Sequence, residues 1–193
     1  LPKTFQSRFE CAEVVGGWVT EWQRAGYVSA SIDSLVYGES DARMVLFVGR
    51  RYVWGRLDTG KTDPALLRST GWVQAFEPGK VFDWSVWSDW QRRCLDQLEN
   101  SGYPFAQVGL FDVHVDQDTV QAGLRLDRGV LYRIDSIRVY GGWRIESDFL
   151  HRYLQIAPGE PYSKEKLTKV DALLRALPYA EVEKSADLSW LAT

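Results

Sequence analysis

Several features are scarce in this sequence, and each scarcity narrows the possible classes of protein. Two of the 193 residues are cysteine and two are histidine. Cys11 and Cys94 have neither a CxxC spacing nor that of zinc ligands, so we expect buried free thiols, with a disulfide as the alternative. No apolar run approaches the roughly 20 residues that a membrane-spanning helix needs. The sequence therefore indicates neither a metal centre nor a transmembrane helix.

The sequence also has no excess of positive charge. The formal net charge is −3, with a pI near 5.5. Arg50-Arg51 and Arg92-Arg93 are isolated pairs, whereas a nucleic-acid partner requires a basic face. We therefore expect no nucleic-acid partner.

The sequence also offers little for catalysis. His114 falls in a predicted strand and His151 on a predicted short helix, and no G-x-S-x-G motif is present. Nucleophilic catalysis needs a nucleophile and a base that meet in space. We expect a protein that is not an enzyme and has no catalytic, cofactor-binding or metal-binding residues and no cofactor.

The strongest positive feature is an internal repeat. Tyr27, Tyr103 and Tyr179 each follow a Gly or Pro that ends an amphipathic segment, and successive tyrosines lie 76 residues apart. Pro78-Gly79 and Pro158-Gly159 lie 80 residues apart. Repetition at a nearly fixed period predicts a chain of similar structural modules.

The second copy of the repeat is the fullest. Residues 51–58 read as a strand, and Asp63 with Pro64 has the chemistry of a helix start. Asp83 is placed to cap a longer helix that runs to about Ser101 and ends at Gly102. The segments "FAQVGLFDVHV" and "TVQAGLRL" then flank the turn "DQD". The predicted order is β-α-α-β-β, which is an α+β module.

The first and third copies are partial. Residues 1–50 contain a long helix, from about Phe5 to Ala25, and a hairpin. Residues 129–193 contain a strand over 130–142, two helices and one strand over 181–188, and lack a final strand. The complete unit spans 51–128. The predicted fold is α+β: tandem modules, each a small mixed three-stranded sheet covered by two helices. One face of the first helix is predicted to be buried: Phe5, Phe9, Ala12, Val15, Val19 and Trp22.

Nine tryptophans are unusual for this length. Trp84, Trp87 and Trp90 have helical spacing, which favours a buried face over a ligand platform. Trp18 and Trp143 lie off the predicted stripes and are candidates for inter-module or partner contacts. The alternative function is a carbohydrate-binding or hydrolase-associated domain that uses surface tryptophans.

Three segments carry a resemblance to a known family that covers nearly the whole chain. These segments, "VGRRYVWGRL" (48–57), "LYRIDSIRVYG" (131–141) and "APGEPYSKEKLTKVDALLRALPYAEV" (157–182), are similar to polypeptide-transport-associated (POTRA) domains of BamA/TamA-like outer-membrane β-barrel assembly proteins. In that family the last strand of each module is central. The resemblance implies that the chain is part of a longer protein whose missing portion completes the third module and leads into an outer-membrane β-barrel.

The resemblance also implies a function. A periplasmic region attached to the outer membrane of a Gram-negative bacterium would act as a chaperone-like scaffold in outer-membrane protein assembly or translocation. Its partners would be unfolded outer-membrane or secreted polypeptides and accessory periplasmic proteins. An alternative is a spacer that handles no clients.

In the family, the strand after the long helix lies at the sheet edge and is proposed to accept an extended segment by β-augmentation. Gly109 fits a close backbone approach or a bulge. The peptide-binding residues implied here are Ser29, Ser31, Asp33, Ala106, Gln107, Val108, Gly109, Leu110 and Phe111.

Overall fold

The computed structural model describes residues 4–140, 145–177 and 184–190. Their elements, in chain order, are α1 (Arg8–Arg24), β1 (Ser31–Tyr37), β2 (Ala42–Phe47), β3 (Val53–Asp58), α2 (Pro64–Ser69), α3 (Trp72–Ala75), α4 (Trp84–Glu99), β4 (Gln107–Asp116), β5 (Thr119–Asp127), α5 (Ser147–Leu154) and α6 (Lys164–Arg175). This order confirms the predicted α+β class. None of the helices in the described ranges is both long and apolar enough to cross a membrane.

The chain divides into two compact units. The first contains Leu1–Arg93 and Val108–Leu126, and the second contains Cys94–Gln107 and Asp127–Thr193. The three module boundaries read from the repeat remain a prediction.

The first unit contains the predicted three-stranded sheet, in the order β3-β5-β4. β3 pairs with β5 in parallel, with Val53 opposite Thr119 and Asp58 opposite Gly123. β4 and β5 are neighbours joined through the turn at Gln117 and Asp118, and so short a connection requires antiparallel strands. The last strand is therefore central, and β4 lies at an edge.

Aromatic side chains fill the core beside this sheet. The buried rings are those of Trp54, Trp72, Phe76, Trp87 and Trp90. Trp90 has no exposed surface, and its Nε1–H donates to Thr70 Oγ1 at 3.0 Å. The helical spacing correctly predicted Trp87 and Trp90 but was wrong for Trp84, which is 57% exposed. Trp84 is the first residue of α4, three residues before Trp87, the first buried tryptophan of the helix.

The buried face of α1 agrees with the predicted one only in part. Val15 is buried as predicted, and so is Cys11, which was not predicted, whereas Phe9 and Trp22 are exposed. Sequence periodicity marks a stripe on a helix, but its position depends on which neighbours cover it. Beyond α1, β1 and β2 form an antiparallel two-stranded sheet with a register shift between Ile32 and Ser34, where the sequence shows a phase break.

The second unit has its own aliphatic core. Leu150 and Leu154 of α5 pack with Ile156 and with Val170 of α6. The Ser163 side chain accepts from Lys166 N, which confirms the predicted cap of α6.

The strand predicted over 130–142 is not formed in the part of it that the structure describes. Its described part, 130–140, has no strand, and its only bridge is between Arg133 and Pro161. The counterpart segment, β3, is held as a strand by its pairing with β5. Among the described residues no strand lies beside 130–140 as β5 lies beside β3, so this segment has no strand to pair with. The strand predicted over 181–188 is likewise not formed in its described part, 184–188.

Backbone hydrogen bonds repeat with the sequence. In the first unit, Tyr52 N donates to Gly26 O at 2.8 Å and Phe82 N donates to Tyr52 O at 3.0 Å. In the second unit the same two bonds are made by Tyr132 N to Gly102 O at 2.7 Å, and by Tyr162 N to Tyr132 O at 2.9 Å. The repeat is therefore a repeat of tertiary structure. Tyr179 and Trp143, which the sequence also singled out, lie outside the described residues.

Candidate functional site

The edge strand β4 carries most of the predicted peptide-binding residues. Ala106 directly precedes the strand, and Gln107–Phe111 form its first half. The Val108 side chain is buried, which anchors the strand, while Gln107 is exposed. β5 is the strand neighbour on one side. Among the described residues no strand pairs with the other side, so this edge retains backbone groups for a further strand.

Gly109 is open. A Cβ atom built there would have nothing within 4 Å. Neither a close backbone approach within the chain nor a left-handed conformation explains this glycine. The irregularity lies three residues later, at Asp112, whose φ of 49° is left-handed. A bulge at Gly109 was one of the two alternatives predicted from the sequence, but the irregular backbone of this strand is at Asp112.

Phe111 marks a contact that the sequence did not predict. Its ring lies where a Cβ atom of Gly123 would be, and the Arg125 guanidinium carbon is 5.5 Å from the ring centroid. A cation over an aromatic face is attracted by the ring quadrupole. Gly123 in the middle of a predicted strand was the signal that could have revealed this close packing.

The second half of β4 is apolar at alternate positions. Val113 and Val115 are 56% and 53% exposed, and Phe111 is 43% exposed. Such side chains on an edge strand favour an apolar neighbour over water.

A side chain of α4 also reaches β4. Gln91 Nε2 donates to Val108 O at 2.6 Å. One carbonyl near the start of the edge strand is thus bonded within the chain.

The other predicted residues belong to the β1–β2 sheet. Ser31 and Asp33 lie on β1, and Ser29 is in the turn that precedes it. All three are exposed. A sheet of two strands has two edges, so β1, like β4, has a side without a strand neighbour in the described part of the chain.

The tryptophans of the described residues divide between the core and the surface, where Trp22, Trp84 and Trp190 are exposed. Trp54, Trp72, Trp87 and Trp90 are buried, which removes them as platforms for sugar stacking. Trp84 borders a cleft of about 410 Å³ together with Phe82, Val28 and Arg24. Trp18 is half-buried on α1.

The histidines and cysteines are not brought together. His114 is exposed on β4, and the half-buried His151 on α5 has Nδ1 at 2.8 Å from Ile156 O. Both cysteines are free and buried, as predicted. Burial raises the pKa of the Cys94 thiol to about 11, and the opposing positive charge of Arg128 is the smaller influence. A thiol with that pKa is protonated at neutral pH and is a poor nucleophile.

The second unit contains a polar cluster at the start of α6 that the sequence did not reveal. Asn100 Oδ1 accepts from Glu165 N at 2.8 Å and from Ser163 Oγ at 3.1 Å. Lys164 Nζ lies 2.6 Å from Glu99 Oε2, and this hydrogen bond, with the Glu99 charge, raises the pKa of Lys164. These contacts fix the end of α4 against the start of α6.

Comparison with known proteins identifies the class. The family model for POTRA, described as a surface antigen variable number repeat, matches residues 132–189. The resemblance read from the sequence is confirmed: the chain has the fold of tandem POTRA domains. No curated protein matches it.

Among solved structures, the chain is similar to POTRA3-5 of Haemophilus influenzae BamA, with 16% identity, a TM-score of 0.54, and coverage of 89% of this chain and 71% of that one. It also matches BamA from Haemophilus ducreyi lacking POTRA domains 1-3, with 22% identity, a TM-score of 0.48, and coverage of 68% and 24%. A third match is POTRA1-3 of the periplasmic domain of Omp85 from Anabaena, with 14% identity, a TM-score of 0.42, and coverage of 90% and 72%. The first of these supports the fold; the other two scores are too low to add to it.

Proposed function

We propose that this chain is a non-catalytic periplasmic scaffold of an outer-membrane protein assembly or translocation factor, which binds extended polypeptide segments by β-augmentation. The observation that carries the proposal is the position of β4 at the edge of the sheet, with open space at Gly109. The docking residues are those of β4 with Ala106, and on the first sheet Ser29, Ser31 and Asp33. The clients are unfolded outer-membrane or secreted polypeptides, and accessory periplasmic proteins are further partners.

Strand addition depends on the chemistry of the backbone. An added strand gains main-chain hydrogen bonds while its side chains are only loosely specified. Such binding suits clients that share an extended conformation and differ in sequence. Exposed apolar positions at Phe111, Val113 and Val115 favour segments whose own side chains alternate apolar and polar.

Similarity supports the cellular setting. The POTRA fold is shared with a BamA fragment, and the family resemblance implies a periplasmic region attached to the outer membrane. We infer the same compartment for this chain.

Site-specific photo-crosslinking tests the proposal. A photoreactive residue placed at Val113 on β4 or at Ser31 on β1 should form adducts with a urea-diluted outer-membrane polypeptide. The matched control is the exposed helical position Gln74. Adducts at Val113 and Ser31 that do not exceed those at Gln74 would contradict client binding and favour a spacer.

A further inference from the structure

The hydrogen bond between Gln91 and Val108 has counterparts elsewhere in the chain. Asp171 occupies the same position on α6 that Gln91 occupies on α4, because the capping residues Asp83 and Ser163 lie 80 residues apart and so do Gln91 and Asp171. Asp171 Oδ1 accepts from Ala186 N at 2.7 Å. In both cases a polar side chain of the long helix is bonded to the backbone of the segment that follows the helix.

The first copy makes a similar contact from a different turn of its helix. Gln23 Nε2 on α1 donates to Ala30 O at 3.1 Å, one residue before β1 begins. All three long helices therefore place a side-chain amide or carboxylate on the backbone just after them. The polarity differs: Gln23 and Gln91 donate to carbonyls, whereas Asp171 accepts from an N–H.

These contacts affect what an edge strand can offer. Proteins protect exposed strand edges because the unpaired backbone groups pair readily with other chains. Val108 O is already bonded to Gln91, and the bond is partly shielded from water. Beyond Val108, Gly109 is open, and Phe111, Val113 and Val115 are exposed.

We propose that Gln91 is a latch that closes the start of β4 to strand addition, so that an extended segment pairs with residues 109–116 and not with Gln107 and Val108. This proposal rests on the function proposed above and names the part of the edge that is open. The docking region then lies closer to the turn at Gln117 and excludes Gln107 and Val108, which the family resemblance implied. The partner is an extended polypeptide with alternating apolar side chains, which match the exposed positions along this half of the strand.

The test uses a defined peptide and the full chain. The probe is a ten-residue peptide of alternating valine and threonine with a lysine at each end. A version with proline at alternate positions lacks the N–H groups needed for pairing and is the peptide control. Backbone amide NMR shifts on β4 locate binding. The variant is Gln91→Met, which keeps side-chain length but has no donor, and its matched control is Gln74→Met on α3.

In the unsubstituted chain the valine–threonine peptide should shift the amides of residues 109–116 and leave Gln107 and Val108 unchanged. In Gln91→Met the shifts should extend to Gln107 and Val108. The Kd should fall by about two- to tenfold, which corresponds to the net value of one hydrogen bond. Gln74→Met should behave as the unsubstituted chain does.

Hydrogen exchange without peptide provides an independent measurement. The amides of Gln107 and Val108 should exchange about two- to tenfold faster in Gln91→Met, because the start of β4 opens more readily once the Val108 carbonyl is no longer held by α4. If the peptide binds β4 but Gln91→Met changes neither Kd, the shifted residues nor exchange, the latch is refuted and the proposed function stands. If the peptide binds neither the unsubstituted chain nor the variants, the proposed function is refuted and the latch proposal with it, whatever the exchange rates show.

Discussion

Replacement of Gly102 by alanine should destabilise the second unit far more than the same change at Gly159. Both glycines have positive φ, 99° at Gly102 and 77° at Gly159. A Cβ at Gly102 would lie 2.5 Å from Leu131 Cδ1, 3.1 Å from Pro161 Cβ and 3.2 Å from the Tyr132 carbonyl oxygen. A Cβ at Gly159 would have nothing within 4 Å.

The magnitude follows from two contributions. A left-handed conformation costs an L-residue about 1–2 kcal/mol, and this applies at both positions. Overpacking adds about 1–3 kcal/mol at Gly102 alone, because the Tyr132 carbonyl is held by the bond that its own amide makes to Gly102 O. The expected loss is therefore about 2–5 kcal/mol for Gly102→Ala and about 1–2 kcal/mol for Gly159→Ala.

Urea denaturation measures this difference when unfolding of the second unit is monitored by hydrogen exchange of the Ile156 amide, because Ile156 lies in the core of that unit. At a slope of about 2 kcal/mol/M, the midpoint of Gly102→Ala should lie about 0.5–1.5 M below that of Gly159→Ala. In the first unit, Gly26→Ala and Gly79→Ala form the equivalent pair, since a Cβ at Gly26 would lie 2.9 Å from Tyr52 O and one at Gly79 would be free. Equal losses within each pair would refute the reasoning, because backbone strain would then account for the whole effect.

Three further predictions concern side chains. Thr70→Val leaves the buried Trp90 N–H without its acceptor and should lower the free energy of unfolding by about 1–3 kcal/mol in urea denaturation; no loss would mean that this bond is not made. The hydrogen bond from Ala186 N, and then that from Ser185, lower the pKa of Asp171, so the contact should persist above the ordinary value of about 3.9 and be lost as pH falls through the lowered one. The Ala186 amide shift, followed by NMR, should therefore titrate with a midpoint below about 3.9, and a higher midpoint would contradict the assignment. Cys94 should resist alkylation by iodoacetamide at pH 8 in the folded protein, since burial raises its pKa to about 11; rapid labelling without unfolding would show that the thiol is accessible.

The features that the sequence predicted correctly are those set by neighbouring residues. Asp63 caps α2, its carboxylate accepting from Ala65 N at 2.8 Å, and Ser163 caps α6. Gly26 and Gly102 end their helices with positive φ. Because caps and glycine turns are local, the starts and ends of these helices could be predicted from composition and spacing alone.

The features that the sequence predicted wrongly depend on distant partners. Residues 131–140 alternate as a strand does, but a strand exists only where another strand pairs with it. Phe9 and Trp22 fall on an apolar stripe, yet burial depends on which elements pack against α1. The local sequence pattern therefore indicates which secondary structure or buried face a segment favours. Contacts with residues far away in sequence decide whether that strand or that buried face forms.

Gln91 belongs to neither group. Glutamine in the middle of a helix carries no signal in a periodicity analysis, because it is a good helix former that is equally common on solvated faces. The only sequence signal was its alignment with Asp171 in the 80-residue register, where one polar residue replaces another. That alignment gains meaning once both side chains are seen bonded to the segment after their helix. The contact differs between the two copies, because Gln91 donates to a carbonyl and Asp171 accepts from an N–H. The repeat therefore predicts a polar residue at this position of the long helix but not its hydrogen-bond partner, which depends on how the following segment lies against the helix.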